Sequence, residues 1–265
     1  MVNTTRSADG TTIAYQRRGD GPALVLVVGA FCNRHTTNEL AALLQDSFTV
    51  YEYDRRGRGD SGDTPPYVPQ REVEDLTAVI DAAGGSASLF GHSSGAILAL
   101  ETAATGRGVN AVVAYEPPYR RLGSDVTSRI RQLIAKDDRT EAMRVFMVDA
   151  VGVPQQAVAS IESWPDFAGM SAIAHTLPYD LTLAGDGTVP VERFSTIAVP
   201  VLIADGERTA WSAEACDPVA DAIPNAERTT LAGQDHGAAP SLVAPMVTEF
   251  LTPHGLAEAR GGSPA

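Results

Sequence analysis

The sequence predicts an α/β fold: a mostly parallel, eight-stranded sheet with helices on both faces and a helical cap insertion. Three observations predict this class. Short apolar runs alternate with helix-forming stretches, the run Ala23–Val28 is continuously apolar, and glycine-rich turns separate the elements. A continuously apolar strand in an alternation of strands and helices is typical of a parallel sheet covered on both faces. The 265 residues, 44% of them hydrophobic, can bury a full core.

The first half of the chain begins with a hairpin and continues as alternating strands and helices. Asp9-Gly10 is a turn signal between residues 2–6 and 11–17, which predicts two antiparallel strands. We then expect strands at 23–28, 48–53, 86–90 and 110–115, and helices at 37–45, 68–83 and 96–105. The helix at 68–83 is amphipathic and ends at a glycine pair, as helices commonly do.

The second half contains the insertion. Between residues 119 and 195, three helical stretches follow one another without a strand pattern, at 126–136, 139–151 and 155–163. We interpret residues 119–195 as a helical cap on a core formed by residues 1–118 and 196–252. The alternation resumes with strands at 199–204 and 228–231 and helices at 212–223 and 241–251. Residues 253–265 are rich in Gly, Pro and Ala, which predicts a flexible tail.

Charge and composition exclude several classes of partner. The net charge of −13, without a basic stripe, argues against nucleic acid and against anionic membrane surfaces. The N-terminus has no apolar run of signal-peptide length, and no segment approaches ~20 uninterrupted apolar residues, so we expect a cytoplasmic protein with no membrane partner. Cys32 and Cys216 fit no metal or redox spacing, and we expect neither a metal nor a cofactor. The oligomeric state stays open, a homodimer included.

A candidate nucleophile lies in Gly91-His92-Ser93-Ser94-Gly95, between a predicted strand and a predicted helix. Glycines two residues before and two residues after the serine allow a strand to turn sharply into a helix, which strains the backbone of the serine and exposes its hydroxyl. The alternative is a glycine-rich turn with a surface serine.

A serine nucleophile needs a base within hydrogen-bond reach. Of the five histidines, His236 lies in the loop between the last strand and the last helix, and so at the carboxyl edge of the sheet where Ser93 also emerges. His92 is adjacent to Ser93, and we interpret it as support beneath the turn. The alternative for His236 is a loop histidine without a catalytic role.

These residues resemble the α/β-hydrolase family over nearly the whole chain, from about residue 10 to residue 251. The matching features are Val28-Gly29-Ala30-Phe31 after the third strand, Asp54-x-x-Gly57-x-Gly59-x-Ser61, the turn around Ser93, the helical insertion and Asp235-His236-Gly237. Val28 replaces the usual loop histidine. The resemblance implies a hydrolase that uses the order Ser, acid, His.

The acid departs from the family pattern, because Thr209 stands where the usual Asp is expected. Asp205, Glu207 and Glu116 are alternatives, and Glu116 is favoured because Pro117-Pro118 restrain its backbone directly after a strand. The chain here resembles the zearalenone-type lactonases, which implies a triad of Ser93, Glu116 and His236. The alternative is an ion pair between Glu116 and an arginine at 120 or 121.

The family resemblance also implies an oxyanion hole and a substrate pocket. The two oxyanion donors would be the backbone N–H of Ser94 and that of Ala30 or its neighbour Phe31. The residues expected to line the pocket are Phe31, Cys32, Trp164, Phe167, Met170, His175 and Tyr179. Those from the insertion also fit a purely structural packing role.

We therefore expect a cofactor-independent serine hydrolase that cleaves a small hydrophobic carboxylic ester or lactone. Two alternatives remain at this point. The same fold and triad support carbon–carbon bond cleavage or other biosynthetic or degradative chemistry, because a fold does not fix a function. The absence of an acid at Thr209 also fits a ligand receptor on the same scaffold.

Overall fold

The computed structural model describes residues 1–254, so most of the tail predicted at 253–265 lies outside the described residues. Its eight strands are β1 (Asn3–Arg6), β2 (Thr12–Arg18), β3 (Ala23–Val27), β4 (Thr49–Tyr53), β5 (Ala87–His92), β6 (Val109–Tyr115), β7 (Val201–Gly206) and β8 (Ala226–Leu231). They form one sheet in the order β1-β2-β4-β3-β5-β6-β7-β8. The pairs β1/β2 and β2/β4 are antiparallel, and the other pairs are parallel. The predicted fold class is confirmed.

Helices cover both faces of this sheet. The α-helices of the core are α1 (Asn38–Leu44), α2 (Pro69–Ala82), α3 (Ser94–Ala103), α10 (Ser212–Ala222) and α11 (Pro240–Leu251). Apolar residues of α2, α3 and α10 pack in one cluster on one face, and those of α1 and α11 pack in a second cluster on the other. All residues of β4 and nearly all of β3 and β5 are buried, as expected for parallel strands between two helical layers.

All regular secondary structure within residues 119–195 is helical. The α-helices are α4 (Val126–Ala135), α5 (Arg139–Val145), α6 (Gln155–Val158), α7 (Phe167–Ala172), α8 (Leu177–Ala184) and α9 (Val191–Phe194). A π-helical turn (Phe146–Val151) continues α5, and a 3₁₀ turn (Ile161–Ser163) follows α6. The sequence pattern missed α7, α8 and α9, which are short. Residues of α4, α5 and α8 share a third apolar cluster, whereas α8 also packs against α3 of the core.

The parallel strands bring the six segments that follow them to one edge of the sheet. β4, β3, β5, β6, β7 and β8 are neighbours in that order and run in the same direction, so their carboxyl ends are adjacent. Ligands in open α/β sheets bind at this edge. Within residues 1–254, no helix is both long and apolar enough to cross a membrane.

Candidate active site

Ser93 occupies a strained turn between β5 and α3. Its backbone has φ +57° and ψ −125°, a conformation that a residue with a side chain rarely adopts. A Cβ at Gly91 would lie 2.5 Å from the carbonyl oxygen of Gly95, and a Cβ at Gly95 would lie 2.1 Å from that of Val27. Both positions therefore require glycine for the strand and the helix to approach this closely. The Ser93 side chain lines two cavities.

His236 contacts Glu116. The two side chains form a hydrogen bond of 2.5 Å between His236 Nδ1 and Glu116 Oε2, and the backbone N–H of Gly206 donates to Glu116 Oε1 at 2.8 Å. Glu116 is fully buried and has φ +50°. A carboxylate that accepts a hydrogen bond from Nδ1–H holds the proton on Nδ1. The Nε2 lone pair of the imidazole is then available as a base. His236 lines the same two cavities as Ser93.

The other candidate acids have different partners. Asp205 accepts hydrogen bonds from Arg228 at 2.9 and 3.0 Å. Burial raises its pKa, but hydrogen bonds from Arg228, Thr230 and Ser212 together lower it by more. Glu207 accepts the backbone N–H of Gly233 at 2.7 Å. Within residues 1–254, Glu116 forms no ion pair with Arg120. Glu116 is thus the carboxylate that the fold brings to His236.

Two side chains hold the loop that carries His236. His92 Nε2 donates to the carbonyl oxygen of His236 at 2.8 Å, and the Tyr115 hydroxyl donates to that of Asp235 at 2.7 Å. Burial, together with the neighbouring His236, lowers the pKa of His92 to about 3. The ring therefore stays neutral, and its Nε2–H donates the hydrogen bond. Sequence reasoning placed His92 beneath the turn and missed Tyr115, whose position as the last residue of β6 was the available signal.

The backbone N–H groups of Ala30, Phe31 and Ser94 have no acceptor among the described residues. Ala30 and Phe31 follow β3 closely, and Ser94 is the first residue of α3. Ala30 and Ser94 line the smaller cavity together with Ser93, whereas Phe31 lines only the larger one. A Cβ at Gly29 would lie 2.9 Å from Ser93 Cβ, which shows how closely the segment after β3 approaches the serine. This arrangement can stabilise negative charge on an oxygen bound beside Ser93.

A buried ionic network supports this segment. Asp180 of α8, 3% exposed, accepts hydrogen bonds from Arg55 at 2.8 Å, from Arg58 at 2.8 and 2.9 Å and from the Ser94 hydroxyl at 2.6 Å. Arg55 also forms a bidentate pair with Glu72 at 2.6 and 2.7 Å. The two cations are therefore balanced by two anions. Its arginine partners keep the pKa of Asp180 low despite its burial.

Both arginines also bind the backbone after β3. Arg55 Nη1 donates to the carbonyl oxygen of Val28 at 3.1 Å, and Arg58 Nη1 donates to that of Gly29 at 2.5 Å. Both arginines lie within the motif Asp54-x-x-Gly57-x-Gly59-x-Ser61, which gives no indication of these contacts. Sequence reasoning missed Asp180, because the partners lie 125 and 122 residues apart along the chain and share no local pattern.

Two cavities meet at Ser93. The smaller has a volume of about 290 Å³ and the larger a volume of about 570 Å³. The residues that line both are Ala30, Ser93, Phe146, Val151, Trp211 and His236. Trp211 was missed by sequence reasoning, although an aromatic residue in the loop after β7 was the available signal. Its indole ring lies 5.5 Å from the His236 ring, centroid to centroid, and its Nε1 donates to Val151 at 3.2 Å.

The residues expected to line the pocket divide into four groups. Phe31 and Met170 line the larger cavity. Cys32 lines a separate cavity of about 120 Å³ behind His236. Trp164 and Phe167 pack instead against the apolar cluster of the insertion and line neither of the two cavities at Ser93.

His175 and Tyr179 differ from the expectation, because neither lines a cavity at Ser93. The Tyr179 ring stacks on Tyr67 at 3.9 Å, and its hydroxyl donates to Asp63 at 2.8 Å. His175 Nε2 lies 3.9 Å from the same carboxylate. Successive helical residues point about 100° apart, so Asp180 faces the site while the adjacent Tyr179 faces the β4–α2 connection.

Comparisons with known proteins identify the family to which this fold belongs. A sequence profile of the alpha/beta hydrolase family matches residues 24–248. The chain belongs to this family. It resembles an alpha/beta hydrolase structure from Sphaerobacter thermophilus with 47% identity and a TM-score of 0.90, over 94% of this chain and all of the other. The esterase RhEst1 from Rhodococcus shares the fold at 20% identity and a TM-score of 0.74, over 96% and 99% of the two chains.

Two curated proteins match this alpha/beta hydrolase over part of their length. N-formylmaleamate deformylase from Pseudomonas putida is 38% identical over 122 residues, which are 44% of this chain and 46% of the relative. An uncharacterised hydrolase, YraK, from Bacillus subtilis is 27% identical over 153 residues, which are 54% and 56% of the two chains. The matched segments thus span about half the length of these relatives.

Proposed function

We propose that this chain is a serine hydrolase that cleaves a carboxylic ester or lactone without a cofactor. Ser93 is the nucleophile, His236 the general base and Glu116 the acid that orients the imidazole. The observation that carries the proposal is the 2.5 Å contact between His236 and Glu116 at the cavity onto which the strained Ser93 opens. Nucleophile, base and orienting acid at one cleft are the features that mark an acyl-transfer site.

Each group has a defined task. Ser93 Oγ attacks the carbonyl carbon while His236 Nε2 takes the hydroxyl proton, and Glu116 stabilises the imidazolium that forms. The N–H groups of Ala30 and Ser94 stabilise the oxyanion, and Ser94 adds the positive end of the α3 dipole. His236 then returns the proton to the leaving alcohol. In the second half-reaction it activates water, which releases the acid and restores Ser93.

The two cavities suit the two halves of an ester. Because they meet at Ser93, the acyl part of a substrate can occupy one and the alcohol part the other. The helices at 119–195 act as the cap that covers both. A lactone is proposed from the resemblance to zearalenone-type lactonases, whose acid stands after the strand that precedes the cap.

The test is hydrolysis of p-nitrophenyl acetate and butyrate, together with labelling by a fluorophosphonate. Ser93→Ala is expected to lower kcat by at least about 10⁴-fold and to abolish labelling. Ser128→Ala, at an exposed serine of α4, is the matched control and should behave as wild type. Equal turnover and equal labelling of wild type and Ser93→Ala would overturn the proposal.

A further inference from the structure

The guanidinium of Arg120 has no carboxylate partner within residues 1–254. Among the described residues, the guanidinium forms only long hydrogen bonds of 3.5 Å, from Nη1 to the carbonyl oxygens of Ala150 and Val151. Its Cζ lies 5.2 Å from the centroid of the Trp211 ring, within the range of a cation–π interaction. Arg120 is half-buried. A cation partly removed from water, with only weak acceptors, gains free energy by binding an anion.

The buried arginines around the site differ in this respect, and Arg208, which lines the larger cavity, is exposed to solvent. Arg34, Arg55, Arg56 and Arg58 each form an ion pair with one or more carboxylates. Their charges are neutralised within the protein, and they are fully or almost fully buried. Arg120 is the half-buried arginine of this site that keeps its charge available.

The position of Arg120 directs this charge toward the reacting atoms. Arg120 lines the smaller cavity together with Ser93 and His236, and does not line the larger one. The residues that its guanidinium contacts, Trp211 and Val151, are also walls of that cavity. The Trp211 ring lies close to both the guanidinium and the His236 imidazole. A short ligand can therefore contact Arg120 at one end and reach His236 at the other.

Two carboxylates line the same cavity, and a free negative charge on either would repel an anionic ligand. Asp180 is engaged by Arg55 and Arg58. Asp186 is exposed and accepts the backbone N–H of Thr188 at 2.9 Å, which together with its other hydrogen bonds lowers its pKa. Neither forms an ion pair with Arg120. The buried acid is neutralised and the other faces solvent, so Arg120 is the charge that a ligand meets inside the cavity.

We propose that Arg120 binds a carboxylate of the substrate, so that the enzyme acts on esters or lactones that carry a carboxylate group. The charged end lies in the smaller cavity, and the other side of the scissile bond lies in the larger. This inference rests on the proposed function and narrows its substrate class. A guanidinium binds a carboxylate through two parallel hydrogen bonds, while the apolar walls, including Leu122 and Leu181, contact the carbon chain.

The first experiment compares half-esters with neutral esters of the same length. The monoethyl esters of succinate, glutarate and adipate are paired with ethyl butyrate, pentanoate and hexanoate, and proton release is followed in a pH-stat. A charge-assisted pair contributes roughly 1.5–3 kcal/mol, so wild type should prefer one or more half-esters by about 10-fold to 100-fold in kcat/KM. Arg120→Gln should abolish that preference, and Arg120→Lys should restore part of it.

Arg121→Gln is the matched control. It removes the same charge at the adjacent, exposed position, which lines neither cavity at Ser93. The ratio of kcat/KM for the half-ester to that for the neutral ester should therefore stay at the wild-type value. Circular dichroism and thermal unfolding verify that each variant is folded.

The second experiment measures binding separately from turnover. Calorimetry with monoethyl glutarate should detect binding to Ser93→Ala and a loss of at least 10-fold in affinity when Arg120→Gln is added. Hydrolysis of neutral esters through Ser93, with neither a half-ester preference nor Arg120-dependent binding, would overturn this inference and leave the proposed function intact. Arg120-dependent binding without hydrolysis of any ester would instead overturn the proposed function and support the carboxylate site. Absence of both binding and hydrolysis would overturn both.

Discussion

Arg58 donates a hydrogen bond of 2.5 Å from Nη1 to the carbonyl oxygen of Gly29. The C=O and N–H of a trans peptide point in opposite directions, so this bond fixes the direction of the next N–H, that of Ala30. Asp180 holds Arg58 through two hydrogen bonds and also accepts the Ser94 hydroxyl. One carboxylate on a helix of the insertion therefore positions both residues that carry the proposed oxyanion donors.

Asp180→Asn is expected to lower kcat more than it raises KM. The substitution keeps the shape of the side chain but leaves the two buried arginines with less negative charge, which loosens the Gly29–Ala30 peptide. Because an oxyanion hole acts mainly in the transition state, we expect kcat for p-nitrophenyl butyrate to fall about 10-fold to 100-fold. The unfolding free energy should fall by up to about 3–5 kcal/mol.

Asp166→Asn provides the control for this prediction, since it removes an exposed carboxylate from the same insertion. Binding of a trifluoromethyl ketone, which forms a tetrahedral adduct, should weaken in Asp180→Asn in proportion to kcat. A folded Asp180→Asn variant with unchanged kcat and a raised KM would show that Asp180 does not act through the oxyanion hole.

Glu116→Gln is expected to lower kcat by about 10³-fold to 10⁴-fold. The amide no longer stabilises the imidazolium, and its NH₂ group favours the tautomer that lacks a proton on Nδ1. Kinetics with p-nitrophenyl butyrate and the rate of fluorophosphonate labelling check this result. Glu207→Gln, at an exposed carboxylate beside the same loop, should retain activity within a few fold. Activity of Glu116→Gln within 10-fold of wild type would mean that another group orients His236.

His92→Gln is expected to change the pH dependence of stability. His92 has a folded pKa of about 3 against an ordinary value of 6.5, so above pH 6.5 its neutral ring contributes fully. Below that pH the unfolded chain binds a proton that the folded chain excludes, and stability is lost down to about pH 3, by up to about 1.4 kcal/mol per pH unit. Glutamine does not titrate and can still donate to the His236 carbonyl.

Urea unfolding of wild type and His92→Gln at pH 7 and pH 5 checks this prediction. The variant should gain stability relative to wild type at the lower pH, whereas His35→Gln, at an exposed histidine, serves as the control. A difference between wild type and His92→Gln that is the same at both pH values would contradict it.

Gly95→Ala and Gly169→Ala should have opposite effects on stability. A Cβ at Gly95 would lie 2.1 Å from the carbonyl oxygen of Val27, and nothing lies within 4 Å of a Cβ at Gly169 in α7. We expect Gly95→Ala to lower the unfolding free energy by about 1–3 kcal/mol or more and to displace Ser94 and Ser93. Gly169→Ala should raise it by about 0.5–1 kcal/mol, because alanine favours a helix. Thermal unfolding and esterase kinetics measure both, and similar behaviour of the two variants would refute the packing argument.

Most of the sheet could be predicted because its signals are local. The continuous apolar run at 23–28 and the glycine-bounded strand around Phe90 carry their secondary structure in a few neighbouring residues, and the observed strands follow them closely. The helices of the insertion were harder. α7, α8 and α9 have between four and eight residues each, too short for a clear periodicity, and are held by packing.

In the active site too, some features follow from neighbouring residues and others from packing. The strand, turn and helix around Ser93 follow from glycines within two residues of it. The residues of α8 do not reveal which of Tyr179 and Asp180 faces Ser93, since both fit a helix equally well, and packing of α8 against α3 selects Asp180. The charges of Arg55 and Arg58 gave no indication of their partners.

By itself, the amino-acid sequence determined the alternating α/β architecture and the strained turn at Ser93, because both depend on interactions between residues close together in the chain. Only the tertiary structure decided that Glu116 rather than Asp205 contacts His236 and that Asp180 joins the insertion to the segment after β3. It also decided that, within residues 1–254, Arg120 has no carboxylate partner. The contacts of Glu116 and Asp180 join residues tens to more than a hundred positions apart. Their geometry exists only once the sheet brings its carboxyl ends to one edge and the insertion packs onto it.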